Sequence, residues 1–111
     1  MIEHYTFGSI KIDGKNYSHD VIICGSKVDS WWRNTSHEVS INDLDPILKN
    51  NPKTIIFGTG AMGVMKVLPE TEEYLKSQGI KFSINRTGDS VKEFNLAAQE
   101  PGTVAALHLT C

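Results

Sequence analysis

The chain has 111 residues, 40% of them hydrophobic and 22% charged, a globular balance that argues against disorder, collagen-like repeats and a disulfide-packed miniprotein. Its Lys and Arg number 11 and its Asp and Glu 13, so the net charge of −2 offers no positive field to draw nucleic acid or an anionic bilayer. One domain with one core, residues 1–111, is expected at this size.

In Phe7-Gly8-Ser9-Ile10-Lys11-Ile12 the two isoleucines alternate with polar residues, and Asp13-Gly14 follows as a two-residue hairpin turn. An N-terminal β-hairpin is predicted, its return strand running from Tyr17 to Cys24 and closed by Gly25-Ser26. Between Val28 and Val39 the pattern is irregular and reads as a strand or arm followed by a loop. Ser40 to Asp43 has capping-box spacing, and Leu44, Ile47 and Leu48 then share one face of a short helix in which Pro46 is tolerated in the first turn.

Thr54-Ile55-Ile56-Phe57 predicts a buried strand feeding the glycine loop Gly58 to Gly63. A helix from Pro69 follows, bounded by Gly79, with Tyr74 and Leu75 facing inward. Ile80 to Ile84 alternates as a strand. A second helix, from about Asp89 to Gln99, turns Val91, Phe94 and Ala98 to the core and stops at Pro101-Gly102. The last strand, Thr103 to Leu109, completes an alternation of strands and helices. The fold class is therefore α/β: a compact layered domain with a mixed, largely parallel central sheet, flanking helices and the N-terminal antiparallel hairpin.

Two sets of residues stand out as candidate binding surfaces. Gly58-x-Gly60-x-x-Gly63 has the spacing of a dinucleotide-binding loop. However, Val64 to Leu68 separate it from the next helix, and Asn85-Arg86 stand where a ribose-binding acid belongs. A tight turn with backbone packed on backbone is the preferred reading. In the alternative, Gly58, Thr59, Gly60 and Gly63 meet Arg86, Thr87 and Gly88 at the strand ends and hold a small anion or nucleotide-like group. The second set is Trp31-Trp32-Arg33 with His37. Neighbours in an extended chain face opposite ways, so one indole is expected outside the core, and Trp and Arg are the residue types that dominate binding hot spots.

Chemistry beyond binding is not written in any motif. The histidines His4, His19, His37 and His108 show no paired metal-ligand spacing, so no metal or cofactor is expected. His108 and Cys111 would point to opposite faces of a continuing strand, and no Gly-x-Ser-x-Gly elbow is present, so no catalytic residues are assigned. Apolar runs reach about four residues, against the roughly twenty of a spanning helix. The start, Met1 to Tyr5, reads as neither an export nor an import signal, and Cys24 and Cys111 form no Cys-x-x-Cys pair. A cytoplasmic protein with reduced cysteines is expected.

Taken together, the Phe7-Gly8 opening, Trp32-Arg33 with His37, Ile56-Phe57-Gly58-Thr59-Gly60, the Thr71 to Gly79 helix, Val91-Lys92-Glu93-Phe94-Asn95 and the closing His108-Leu109-Thr110-Cys111 are familiar. They resemble a small conserved single-domain family that includes the adipogenesis-associated cytosolic protein of animals and a mitochondrial assembly factor for respiratory complex I. The likeness runs from about Phe7 to Cys111. It implies a compact α/β fold with a mixed sheet and an added hairpin, no established enzyme activity, and relatives that act as assembly or regulatory partners. The expected function is thus a non-enzymatic binding or assembly domain acting on an unidentified protein, or on itself, through the surface around Trp31, Trp32, Arg33 and His37. Neither nucleic acid nor membrane is expected as a partner.

Overall fold

A computed structural model describes all residues, Met1–Cys111. Strands β1 (Ile2–Thr6), β2 (Ser9–Ile12) and β3 (Lys15–Tyr17) form an antiparallel meander. The turn between β2 and β3 has positive φ at both Asp13 (48°) and Gly14 (82°), the backbone geometry that follows the strands' own twist. The expected return strand is interrupted. Ser18, His19 and Asp20 carry the chain out of the meander, and the run buried on both faces begins only at Val21, where β4 (Val21–Cys24) enters a different sheet.

That second sheet holds five strands in the order β5-β4-β10-β7-β9, with β5 at Lys27–Ser30, β7 at Thr54–Thr59, β9 at Lys81–Asn85 and β10 at Thr103–His108. It is mixed. β10 runs parallel to β7 and β7 parallel to β9, while β10–β4 and β4–β5 are antiparallel. The parallel half is the expected strand and helix alternation, and the antiparallel half is a hairpin turned at Gly25-Ser26. β10 ends one residue earlier than expected, at His108. The N–H of Leu109 donates to the Asp20 carboxylate at 2.8 Å, so the ladder to β4 goes no further.

Side chains alternate across β10 and divide the core in two. On one face Val104 and Ala106 join Ile22, Trp31, Leu44, Ile47, Ile55, Phe57, Met65 and Leu75. This side is covered by a 3₁₀ turn (Asn42–Leu44), α1 (Asp45–Leu48) and α2 (Pro69–Ser77). On the other face Ala105, Leu107 and Leu109 pack with Ile2, Ile10, Ile12, Val21, Ile23, Ile56 and Phe94, beneath the meander and α3 (Thr87–Ala97). α3 starts two residues before the expected Asp89 because the N–H groups of Asp89 and Ser90 both reach the Arg86 carbonyl at 3.0 Å. A short parallel ribbon of β6 (Glu38–Val39) and β8 (Lys66–Val67) adds Val39 and Val67 to the first of these clusters. No helix is long and apolar enough to cross a membrane.

Candidate functional site

The strands place Leu107 opposite Val21, so the next residues in each direction, His108 and Asp20, meet at the end of the β4–β10 ladder. Their side chains bond. His108 Nδ1 lies 2.7 Å from Asp20 Oδ2, and Arg33 Nη2 reaches the same oxygen at 2.8 Å. Burial alone pushes the Asp20 carboxyl up. Hydrogen bonds from His108 and the Leu109 N–H, the nearby His108 charge and the bond from Arg33 outweigh it and hold the group below its ordinary range. An ionised Asp20 requires donors, so His108 Nδ1 carries a proton aimed at the carboxylate. The 3.2 Å separation of Arg33 Nη2 from Nδ1 is then a contact between two donors sharing one acceptor. On the other side of the ring, His108 Nε2 lies 3.4 Å from the Thr110 hydroxyl oxygen.

Arg33 comes to Asp20 because Trp31, Trp32 and Arg33 run extended. Trp31 points inward, 2% exposed, its Nε1–H donating to the Asp43 carbonyl at 3.1 Å and its ring tilted against Phe57. Arg33, two residues on, lies on the same side with its guanidinium carbon 4.5 Å from the Trp31 ring centre. Trp32 points away and is 78% exposed. The loop that follows is tied down by Asp43, whose carboxylate accepts from the Asn34 and Ser40 N–H groups and the Ser40 hydroxyl. His37 meets His108 edge to face, ring centres 5.9 Å apart.

These residues surround a cavity of about 450 Å³ walled by Ser18, Asp20, Trp31, Trp32, Arg33 and His108, with His19, Ser36 and Thr110 completing it. The structure thus brings Trp31, Trp32, Arg33 and His37 together and adds Asp20, which no motif singles out, with His108 and Thr110 of the closing motif, to which the sequence assigns no binding role. The Asp20–His108 arrangement resembles the acid and imidazole of a nucleophile-activating relay, but at 3.4 Å the Thr110 hydroxyl sits at the outer limit of bonding. What the cluster does well is hold one imidazole ring and one guanidinium in fixed places.

The glycine loop lies elsewhere and is filled by its own chain. A Cβ on Gly58 would stand 2.8 Å from Leu107 and Thr87 side-chain atoms, and one on Gly60 (φ +102°) 2.3 Å from the Cys111 carbonyl carbon. The Gly60 N–H donates to Thr87 Oγ1 at 2.8 Å, Ala61 N–H to the Thr110 carbonyl at 2.7 Å and Val64 N–H to the Cys111 carbonyl at 3.0 Å. Thr87 is buried and donates in turn to the His108 carbonyl at 2.6 Å. Thr59 Oγ1 donates to the Asn85 carbonyl. Arg86 and Gly88 are exposed, and Arg86 Cγ would be 3.3 Å from a Cβ on Gly63. The seven residues do gather at the strand ends, while the amides of Gly60, Ala61 and Val64 already have partners.

A family model described as a protein of unknown function (DUF498/DUF598) matches residues 2–109. The chain belongs to this family. The same DUF498/DUF598 architecture is similar to that of a conserved hypothetical protein from Pyrococcus horikoshii, with a TM-score of 0.90 and 26% identity over 100% of this chain and 99% of that one. It is also similar to a Bordetella pertussis protein described as a Mth938-like domain, with a TM-score of 0.75 and 19% identity over 98% of this chain and 85% of that one. A third likeness is to a Bartonella henselae protein described as an outer membrane protein, with a TM-score of 0.82 and 18% identity over 99% and 94% of the two chains. The last two show a shared fold alone.

Proposed function

We propose that this DUF498/DUF598 chain is a non-enzymatic binding domain that takes a protein partner, in an assembly or regulatory role, at the face around Trp32 and His37, with the buried Arg33 side chain behind it. The observation that carries this reading is the position of Trp32, a large aromatic 78% exposed at the rim of a cavity whose other lining residues, Trp31 apart, are polar or charged. An indole held outside the core supplies wide contact area with little conformational entropy to lose, the property that makes Trp a frequent hot spot. The likeness to a family containing a complex I assembly factor and an adipogenesis-associated cytosolic protein supports the same reading. A cytoplasmic setting belongs to the proposal and rests on two unpaired cysteines, Cys24 and Cys111.

The second reading, a small anion at Gly58, Thr59, Gly60, Gly63, Arg86, Thr87 and Gly88, draws support from the exposed Arg86 beside the first turn of α3. Its backbone amides at Gly60, Ala61, Gly63, Val64 and Thr87 already have partners within the chain. Affinity capture from the native host separates the two, using wild type, Trp32→Ala and Leu96→Ala, the last an apolar side chain 89% exposed on α3. A partner retained by wild type and Leu96→Ala but lost from Trp32→Ala is expected. Identical capture by all three would remove Trp32 from any interface.

A further inference from the structure

Arg33 is a buried cation with unused donors. Its side chain is 3% exposed, and Nη2 is fully engaged with Asp20 Oδ2 at 2.8 Å and the Ser36 carbonyl at 2.7 Å. Nε and Nη1 are buried and have no partner. These two atoms carry three of the guanidinium's five N–H groups. A buried donor left empty is costly, and more so on a charged group. The neighbours offer no relief, because Asp20 Oδ1 already accepts from Leu109 and Oδ2 from both His108 and Arg33. An acceptor brought from outside the chain would satisfy Nε and Nη1.

We propose that the cavity beside Arg33 binds a carboxylate, and that the partner received at the Trp32 face presents it; the second clause rests on the reading given under Proposed function. A carboxylate matches the unused donors because it is planar, accepts only, and fits a guanidinium edge with two parallel bonds. Its single charge also suits the site. Arg33 and Asp20 together sum to zero, so a dianion such as phosphate would face the Asp20 carboxylate with surplus charge. Ser18, Ser36 and Thr110 line the same cavity and bring further polar groups to it. Nε and Nη1 are out of water's reach, so binding displaces part of the wall, and Ser36, an exposed wall residue whose carbonyl accepts from Nη2, belongs to the adjoining exposed run Asn34 to His37.

The test is NMR titration of the wild-type domain, following the Arg33 Nε–H, both indole N–H signals and the amides of residues 34–37. The probes are acetate, benzoate, phosphate, and one short peptide made with a free C-terminal carboxylate and again with a C-terminal amide. Saturable movement of the Arg33 Nε–H by acetate and benzoate is expected, with phosphate weaker by on the order of tenfold. The free-acid peptide binding more tightly than acetate, and its amide not at all, identifies a peptide carboxylate as the source. Action by acetate with none by either peptide points to a free carboxylate compound and overturns the partner clause. No movement of the Arg33 signal, or phosphate binding as tightly as acetate, overturns the carboxylate site. Arg33→Lys removes the stack on Trp31 as well, so Trp32→Ala serves as the second variant. It keeps the acetate response of Arg33 while losing the captured partner, so the site and the partner-binding face can fail separately.

Discussion

Asp20 is the residue on which the candidate site turns, since one carboxylate takes hydrogen bonds from His108, Arg33 and the Leu109 N–H. Its folded-state pKa lies below the unfolded value near 3.9. For a carboxyl depressed by folding, the stabilisation is complete above the unfolded pKa and disappears as pH falls through the folded one. Wild-type stability therefore drops steeply on acidification below about pH 4, and Asp20→Asn removes that part of the slope. Urea unfolding midpoints from pH 6 down to pH 2 check this. A variant curve parallel to wild type over that range would show that Asp20 carries none of the acid sensitivity. At neutral pH the same variant is less stable by roughly 3 kcal/mol, because Arg33 is left as a buried charge without its counter-ion. None of this was legible from motifs. Asp20 and His108 stand at opposite ends of the sequence, and only the antiparallel pairing of β4 with β10 makes them neighbours. The Trp31-Trp32-Arg33 run was legible because its meaning is local: alternation along an extended chain sends one indole in and the other out.

At the scale of elements, the stretch from β7 to α3 shows what spacing reveals and what it conceals. The pattern located the β7 strand, the loop and the helix after it. It could not say whether the glycines make room for a ligand or for the chain itself, because both require the same missing Cβ. The structure has the C-terminal residues Thr110 and Cys111 against Gly60, and Thr87 bridging Gly60 to the His108 carbonyl. Two glycines of this region should therefore respond in opposite ways. Gly60→Ala combines a positive φ with a carbonyl carbon 2.3 Å from the new methyl group, and is expected to destabilise by more than about 2 kcal/mol. Gly88→Ala sits in the first turn of α3 with open space around it and should be neutral or stabilising by up to about 1 kcal/mol. Thermal unfolding of the pair decides it. Equal melting temperatures would mean that the C-terminal residues yield freely and that Gly60 is not needed for the close approach.

For the molecule as a whole, β10 is the element that everything else is built on. Its neighbours are β4 on one edge and β7 on the other, and its two faces feed the two halves of the core. The meander touches this arrangement through few polar links. Ile2 exchanges two hydrogen bonds with the Asn95 side chain of α3, its N–H donating at 2.9 Å and its carbonyl accepting at 2.8 Å, so the amide pairs with β1 as another strand would. The Tyr5 hydroxyl and the Gly8 N–H both donate to the Leu109 carbonyl. Burial raises the Tyr5 pKa, the Thr87 hydroxyl lowers it and the Asp20 charge raises it further, so the phenol keeps the proton that it donates. The apolar part of the dock is Ile2, Ile10 and Ile12 against Phe94 and Leu107. Asn95→Ala deletes both bonds to Ile2 while leaving this contact, and should cost about 1 to 2 kcal/mol. The loss should be regional, because the links removed join β1 to α3 and none belongs to the five-stranded sheet. Native-state hydrogen exchange reads the difference: the amides of β1 and β2 should exchange faster in the variant, while those of β10 and β7 keep the protection of global unfolding. Equal acceleration across β10 would show instead that the meander and the main sheet open as one cooperative unit, so that the N-terminal strands help to hold the Asp20–His108 junction in place.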